Sequence, residues 1–425
     1  VKGRAHTRQD EIESRLRAFL AGCKNAVLVE PGDAPLVLGG NRLELSPVAG
    51  GLLIEAWDGG RNLVRRVSGV ISVTRSRMVL EVERFGRRKG TLTLVDRARP
   101  AALAIERRAA RLALRERLGH FLRRQFAGWR IEALTTEASL EHSLSPTFPR
   151  AILRRGDRLW TALAAPDELT AADQALTFGL IWLDYVRLRE RRGLVEGLCL
   201  LLPAGKELAT CLRLRWINPR AACFTVFLHE GPDWEELVDP GAHGNLETEL
   251  LPPDTSRHFP PDLPEARIEA LLRAHPPLLD PDLLPAPIYG QVAAWAGGER
   301  GILDLLACGS SGRLAVIEVK ASPDPHLPLQ ALDYWMRVDW HRTRELSARG
   351  YFPGIPLRQQ PPRLLLAAPS LAFHPSTETI LRCFSPSVEV ERIGIALQSP
   401  PEGRQPEDLR PFQVMFRLRG ARAPF

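Results

Sequence analysis

Lysine is scarce in this 425-residue chain: of 57 basic residues, only Lys2, Lys24, Lys89, Lys206 and Lys320 are not arginine. Arginine supplies the generic positive charge, so a lysine inside an apolar strand stands out as one chosen for its compact ammonium, which positions water as a planar guanidinium cannot. The six cysteines (Cys23, Cys199, Cys211, Cys223, Cys308 and Cys383) include no CxxC pair. That argues against a zinc ribbon or a disulfide framework and fits reduced thiols in a cytoplasmic protein. No apolar run approaches the ~18–20 residues of a membrane span, and no signal-peptide pattern opens the chain, so no membrane partner is expected. Neither an internal repeat nor a low-complexity tract is evident.

What is present is ordinary for a globular chain: 44 % hydrophobic and 25 % charged residues. The length suggests two or three domains of roughly 100–200 residues each. A net charge of +7 suits a polyanionic partner without demanding one.

Three regions are expected along the chain. In residues 1–100, a short helix over 9–21 precedes alternating strands with Gly-rich turns, including a hairpin from 78–83 and 91–95, so this is a small β-rich domain. Its tip carries Arg84, Arg87, Arg88 and Lys89, either a phosphate contact or a solvated charge run. Residues 101–250 read as a mixed α/β domain that opens on a basic helix. Arg107, Arg111 and Arg115 stack on one face of that helix, as candidate contacts to a nucleic-acid backbone, and Leu114, Leu118, Phe121 and Leu122 line another. Strands are expected at 158–164, 194–202, 212–217 and 223–228, and a helix at 171–191. His229-Glu230 and Asp233–Glu236 read as surface loop, and Trp160, Trp182, Tyr185 and Trp216 as core. Residues 239–264, rich in Pro, Gly and Asp, read as a linker.

The third region, 259–425, is an α-β-β-β-α-β unit: a helix over 264–275 stopped by Pro276-Pro277, strands at 289–295, 301–308 and 314–321, a helix over 327–349, and a strand at 363–368. A helix over 375–384 and strands at 388–397 and the C-terminal FQVMFRLRG complete it. Its chemistry lies in RGILDLLACGSSGRLAVIEVKASPDPHLPLQALDY, residues 300–334. A Gly309–Gly312 turn joins two apolar runs, one carrying Asp304 and the other carrying Glu318 and Lys320 on a single face. With antiparallel pairing, one step of register decides whether Asp304 lies beside Glu318. Two carboxylates and an ammonium make a site for a hard divalent cation, Mg²⁺ or Mn²⁺, suited to phosphodiester hydrolysis. Asp304 and Glu318 are the expected ligands, with the Val319 carbonyl as a third, and Lys320 sits beside the attacking water. Glu265 and Glu269, four apart on the preceding helix, can add a carboxylate. His326 reads as surface, and His275 and His341 show no ligand spacing.

Asp304, Glu318-Val319-Lys320 and the following Gln330 and Tyr334 resemble the PD-(D/E)xK nuclease superfamily, including the QxxxY motif of its RecB-like branch. Residues 264–370 are similar to the C-terminal domain of NucS-type endonucleases, with Gln291 on the first strand. The resemblance implies a restriction-endonuclease-like fold and a Mg²⁺-dependent endonuclease acting on DNA in repair or defence. In it Lys320 is catalytic, and Gln330 and Tyr334 support the metal site or the DNA backbone. The family's helix glutamate falls on Glu265, with Glu269 left open by the spacing. Residues 1–250 do not share the resemblance. RNA stays open as a substrate, a homodimer is compatible with the pattern, and the contrasting reading is a nucleic-acid-binding or adaptor protein on an inactive nuclease-like fold.

Overall fold

The computed structural model describes residues 2–31, 33–38, 42–48, 51–58, 61–84, 88–230, 234–242, 248–250, 264–296, 299–342, 346–398 and 411–420. Among these, the chain is mixed α/β, with eight α-helices and three sheets. It divides into two compact units, Val1–Thr136 with Pro146–Ala151, and Glu137–Ser145 with Ile152–Phe425.

The first unit holds α1 (Lys2–Ala21), β1 (Ala26–Val29), β2 (Leu36–Val37), β3 (Leu43–Val48), β4 (Gly51–Asp58), β5 (Arg61–Val73), β6 (Arg77–Arg84), β7 (Arg88–Asp96), α2 (Pro100–Gln125) and β8 (Arg130–Thr135). Strands β1–β7 form one antiparallel sheet in the order β2-β1-β7-β6-β5-β4-β3. Alternation builds its two faces. Leu52, Ile54, Leu80 and Val82 bury one face with Ile12 and Leu16 of α1. Val27, Val29 and Val95 bury the other with Ala102 and Ala109 of α2. Helix α1 therefore begins well before the expected residue 9, and the expected hairpin is β6–β7. Lys89 pairs with Glu81 at 3.4 Å on the surface, while the side chains of Arg84, Arg87 and Arg88 lie outside the described residues.

Strand β9 (Arg150–Arg155) starts within the first unit, at Arg150 and Ala151, and runs on into the second. The second unit continues with β10 (Arg158–Ala164), α3 (Leu169–Arg189), β11 (Leu194–Pro203), α4 (Leu208–Leu214), β12 (Cys223–Glu230) and β13 (Trp234–Val238). It then adds β14 (Thr248–Leu250), α5 (Pro264–Ala274), α6 (Pro276–Leu279), β15 (Tyr289–Ala296), β16 (Glu299–Cys308), β17 (Leu314–Val319), α7 (Leu327–Arg342), β18 (Arg363–Pro369), α8 (Thr377–Leu381), β19 (Val390–Leu397) and β20 (Phe412–Arg419). The last sheet runs β14-β15-β16-β17-β18-β19-β20. Strand β17 is buried along its whole length, as the run LAVIEV, apolar but for Glu318, requires of a central strand covered on both faces.

These two halves of the second unit share one architecture, which overturns the reading of the chain as free of repeats. Strand β10 pairs parallel with β11, β11 parallel with β12, and β12 antiparallel with β13. Strand β17 pairs parallel with β18, β18 parallel with β19, and β19 antiparallel with β20. Helices α3 and α4 make the crossovers in the first half, as α7 and α8 do in the second. A faint sequence echo accompanies this: LIWLDY at 180–185 against LQALDY at 329–334. Thr210, Leu214, Arg215 and Pro219 also recur at a constant separation as Thr377, Leu381, Arg382 and Pro386.

The halves meet in the self-complementary manner of a two-fold interface. Ile217, just past α4, bridges Phe384, just past α8. Asn218 N–H donates to Cys383 O and Ser385 N–H to Trp216 O, both at 2.7 Å. Asp333, from the second LDY, accepts from Arg213 on α4 at 2.6 and 2.9 Å, and Asp184, from the first, accepts from Thr379 on α8 at 3.0 Å. His326 Nδ1 and Thr177 Oγ1 meet at 3.1 Å.

Several local expectations fail for identifiable reasons. Residues 212–217 (LRLRWI) alternate like a strand, yet parallel β11 and β12 need a crossover, and helix α4 supplies it. His229 and Glu230 finish β12 rather than forming a surface loop, with His229 buried, and Trp234–Val238 is β13, which covers the outer edge of β12. The expected linker contains β14, which pairs with β15. Helix α7 is described to Arg342, and residues 346–350, expected to continue it, form turns that lead to Tyr351 and Phe352, both fully buried on Tyr289, with the Phe352 N–H donating to the Tyr289 hydroxyl at 2.9 Å. Gly350 (φ 91°) serves the turn that delivers them. Helix α8 covers only Thr377–Leu381 of the expected 375–384. His326 is half-buried on Thr177 rather than on the surface.

The C-terminal sheet is clamped at one end by a buried ionic network. Arg363 bonds both Asp280 and Glu391, and Arg417 bonds the same two carboxylates at 2.9 and 2.7 Å. Removing one member of such a network leaves buried charge without its partner. Arg363→Ala is expected to cost about 3–5 kcal/mol in denaturant unfolding, and Arg417→Ala, at a more exposed position, distinctly less.

Candidate active site

Paired antiparallel strands normally exhaust their amides on each other, and the exception marks the site. The β16–β17 ladder runs from Cys308↔Leu314 to Leu305↔Ile317 and stops. One step further, Asp304 stands beside Glu318, in the register that brings the two carboxylates together. The Val319 N–H donates to Asp304 Oδ2 at 2.8 Å instead of to a ladder carbonyl. N–H and C=O of one residue leave the same edge of a strand, so the Val319 carbonyl faces the Asp304 side.

Glu318 is 1 % exposed, and its Oε2 is buried without a hydrogen-bond partner. Its Oε1 lies 4.0 Å from Lys320 Nζ, whose side chain is 14 % exposed. The Lys320 amide is fixed by Ala367 O at 3.1 Å, so the ammonium projects from an anchored backbone.

Helix α5 adds the two candidate glutamates. Glu269 is buried and accepts from Gln291 Nε2 at 2.9 Å, and the same nitrogen reaches Asp304 Oδ1 at 3.5 Å. Gln291 adopts φ 53°, a strained setting for a non-glycine residue that binds helix and strand to one another. Next to it, any side chain at Gly290 would come within 3.0 Å of Glu269 Oε1, so glycine leaves the carboxylate its room. Glu265 is exposed and accepts from Ala321 N–H at 3.4 Å, holding the loop that follows Lys320. Both glutamates left open by the spacing thus border the site, and Glu269 is the one tied to Asp304. From α7, Gln330 Nε2 donates to the Tyr334 hydroxyl at 3.4 Å, and the Arg337 guanidinium lies 5.6 Å from the Tyr334 ring centre.

Burial and like charge dominate the electrostatics. Burial, then the charge of Asp304, pushes the Glu269 carboxyl up to about 7. Burial pushes Asp304 up to about 6 against the pull of the Val319 amide and Lys320. Glu318 is driven well above the usual carboxylate range by burial and then by Asp304. Burial, then the charge of Glu318, raises Tyr334 to about 12. Clustered carboxyls that resist ionisation, one with an unpartnered buried oxygen, present an unmet demand for positive charge.

The donor set is all oxygen, which fits a hard divalent cation. Among the described residues, no three His, Cys, Asp or Glu side chains are gathered tightly enough to hold a metal alone. Asp304, Glu318 and the Val319 carbonyl therefore form a sparse set, of the kind a cation that keeps several waters accepts.

The arginine stripe lies in the other unit. On α2, Arg107 is exposed, Arg111 and Arg115 are half-buried, and Arg115 pairs with Glu116 at 2.8 Å. Leu118, Phe121 and Leu122 are buried on the apolar face, as expected. Among the described residues, no helix is long and apolar enough to cross a membrane. No family model matches the chain, and the comparison with curated proteins found no match to it.

A carboxyl whose folded pKa lies above its unfolded value binds more protons when folded, so its stabilising balance is lost as pH rises from the unfolded to the folded pKa. For Glu269 that window runs from about 4.5 to about 7. Without divalent cations, Glu269→Gln is expected to stabilise the protein at pH 8 by about 2 kcal/mol and to change little at pH 4. Denaturant unfolding at the two pH values checks this.

Proposed function

We propose that the chain is a metal-dependent nuclease that hydrolyses DNA phosphodiester bonds, with a restriction-endonuclease-like catalytic domain of the PD-(D/E)xK kind. The observation that carries the reading is the splayed end of β16 and β17. Asp304 and Glu318 there stand side by side with Lys320 and face a helix bearing Glu265 and Glu269. The α-β-β-β-α-β order around them supports it. Asp304, Glu318 and the Val319 carbonyl would hold Mg²⁺ or Mn²⁺, which would supply Lewis-acid stabilisation of charge on the phosphate.

The chain's own groups do the rest. The Val319 amide and Gln291 lock the Asp304 carboxylate, so its oxygens are placed before substrate arrives. The Lys320 ammonium orients a water for in-line attack and offsets negative charge as it builds in the transition state. Glu269, able to hold a proton near neutrality, is placed to receive one through water. Gln330 and Tyr334 line the helix side of the site, where hydroxyl and amide can meet the DNA backbone.

Asp304→Ala and Lys320→Ala are each expected to lower metal-dependent cleavage at least ~100-fold while unfolding transitions stay cooperative. Gel assays on single-stranded, duplex, branched and mismatched DNA, with an RNA control, read this out, and unchanged cleavage rejects the reading. A second reading, binding without cleavage, draws on the lack of a third gathered acidic or imidazole ligand among the described residues. Metal-independent retention of DNA with no cutting on any substrate selects it.

The arginine stripe belongs to the same proposal as a phosphate-tracking face. Arg107→Glu and Arg111→Glu are expected to weaken binding across sequences and to reduce the slope of log affinity against log salt by about 1 for each phosphate no longer neutralised.

A further inference from the structure

The repeated halves of the second unit can be aligned through their ladders, without appeal to sequence. Strands β12 and β19 begin at Cys223 and Val390, whose partners are Gly197 on β11 and Leu364 on β18. Following the pairings inward, Leu200 matches Ala367, and their partners Leu163 and Val319 match in turn. Glu318 therefore corresponds to Ala162, and Lys320 to Ala164, both fully buried. Aligned on the LDY motifs, Tyr334 corresponds to Tyr185 and Gln330 to Ile181. One half carries the acid, the lysine and the glutamine, and the other keeps only the tyrosine.

The surface between the halves is the second part of the argument. The mutual Ile217–Phe384 bridge, its pair of reciprocal 2.7 Å hydrogen bonds, the Asp333–Arg213 and Asp184–Thr379 links and the Thr177–His326 contact are two-fold in kind. In a symmetric homodimer, that surface would bring up a second subunit and with it a second cleavage centre. Here the chain itself covers it.

The geometry points to a single-chain pseudo-dimer that works as a monomer with one cleavage centre, and that therefore cuts one strand of a duplex per bound complex. This rests on the nuclease reading of Asp304, Glu318 and Lys320. Duplex strands run antiparallel and are related by two-fold axes, so cutting both in one encounter calls for two centres related in the same way. Ala162 and Ala164 cannot provide the second. In the single step, the oxygen of one water bonds to phosphorus, one phosphorus–oxygen ester bond of that strand breaks, and the released ester oxygen takes up a proton. The opposite strand is untouched until the protein leaves and rebinds in the other orientation.

The test uses the full chain with supercoiled plasmid and single-stranded circles in Mg²⁺ or Mn²⁺, with Lys320→Ala as control, alongside light scattering of the protein alone and with a short duplex. Expected are open circles accumulating before any linear plasmid, a rate linear in protein concentration, and the mass of one chain in solution and of one chain per duplex. Linear plasmid as the first product, or a two-chain mass, overturns the pseudo-dimer inference and leaves the nuclease reading standing. Cutting of single-stranded circles with the duplex left intact overturns the inference that one strand of a bound duplex is cut, and leaves the nuclease reading standing. No cutting of any substrate with either metal overturns the nuclease reading, and a one-chain mass in that case still supports the covered interface.

Discussion

The hydrogen bond from the Val319 amide to Asp304 Oδ2 sets the rest of the C-terminal half in order. A buried amide must find an acceptor, and at this point the β16–β17 ladder offers a side chain instead of a backbone carbonyl. The ladder can then end without leaving the amide unpaired, at the point where Glu318 and Lys320 stand. Asp304 gains a fixed orientation from the same contact. Gln291 extends the arrangement to α5, linking Asp304 to Glu269 through a single amide nitrogen and accepting a positive φ in doing so. Ordinary folding forces thus assemble a group of carboxyls that repel each other in a poorly solvated place, a state a protein does not reach by optimising stability alone.

The two halves of the second unit show the cost of that choice by contrast. Where β17 buries Glu318 beside Lys320, β10 buries Ala162 and Ala164 against the same kind of parallel neighbour. Alanine there fills the core without desolvating a charge, so the middle half is relieved of the electrostatic strain its counterpart carries. The helices between the sheets are used alike in both: each LDY aspartate reaches across to the other half's short helix, answered by Arg213 in one case and Thr379 in the other.

Much of the C-terminal half is legible in the sequence because its signals are local. Pro264 and Pro276 bracket α5, Gly309 and Gly312 turn the hairpin, and the apolar LAVIEV run announces a central strand with one acid in it. The register that unites Asp304 with Glu318 follows from that turn. The middle half is less legible because its decisive constraints are tertiary. Residues 212–217 alternate like a strand but must cross over between parallel neighbours, and His229 looks polar in sequence while sitting at the buried end of β12. The repeat hides because packing, rather than chemistry, is what the two halves share, and many apolar side chains satisfy the same core. The two LDY triplets are the signal that was available, and their aspartates mark the contact between the halves.

Covalent continuity between the two halves has a consequence for how the molecule behaves on dilution. A noncovalent pair of such folds would come apart below its dissociation constant and lose whatever depended on the paired arrangement. Joined in one polypeptide, the faces around Ile217 and Phe384 see each other at an effective concentration set by the connecting segment rather than by how much protein a cell makes. A few copies per cell therefore suffice to keep the assembly intact.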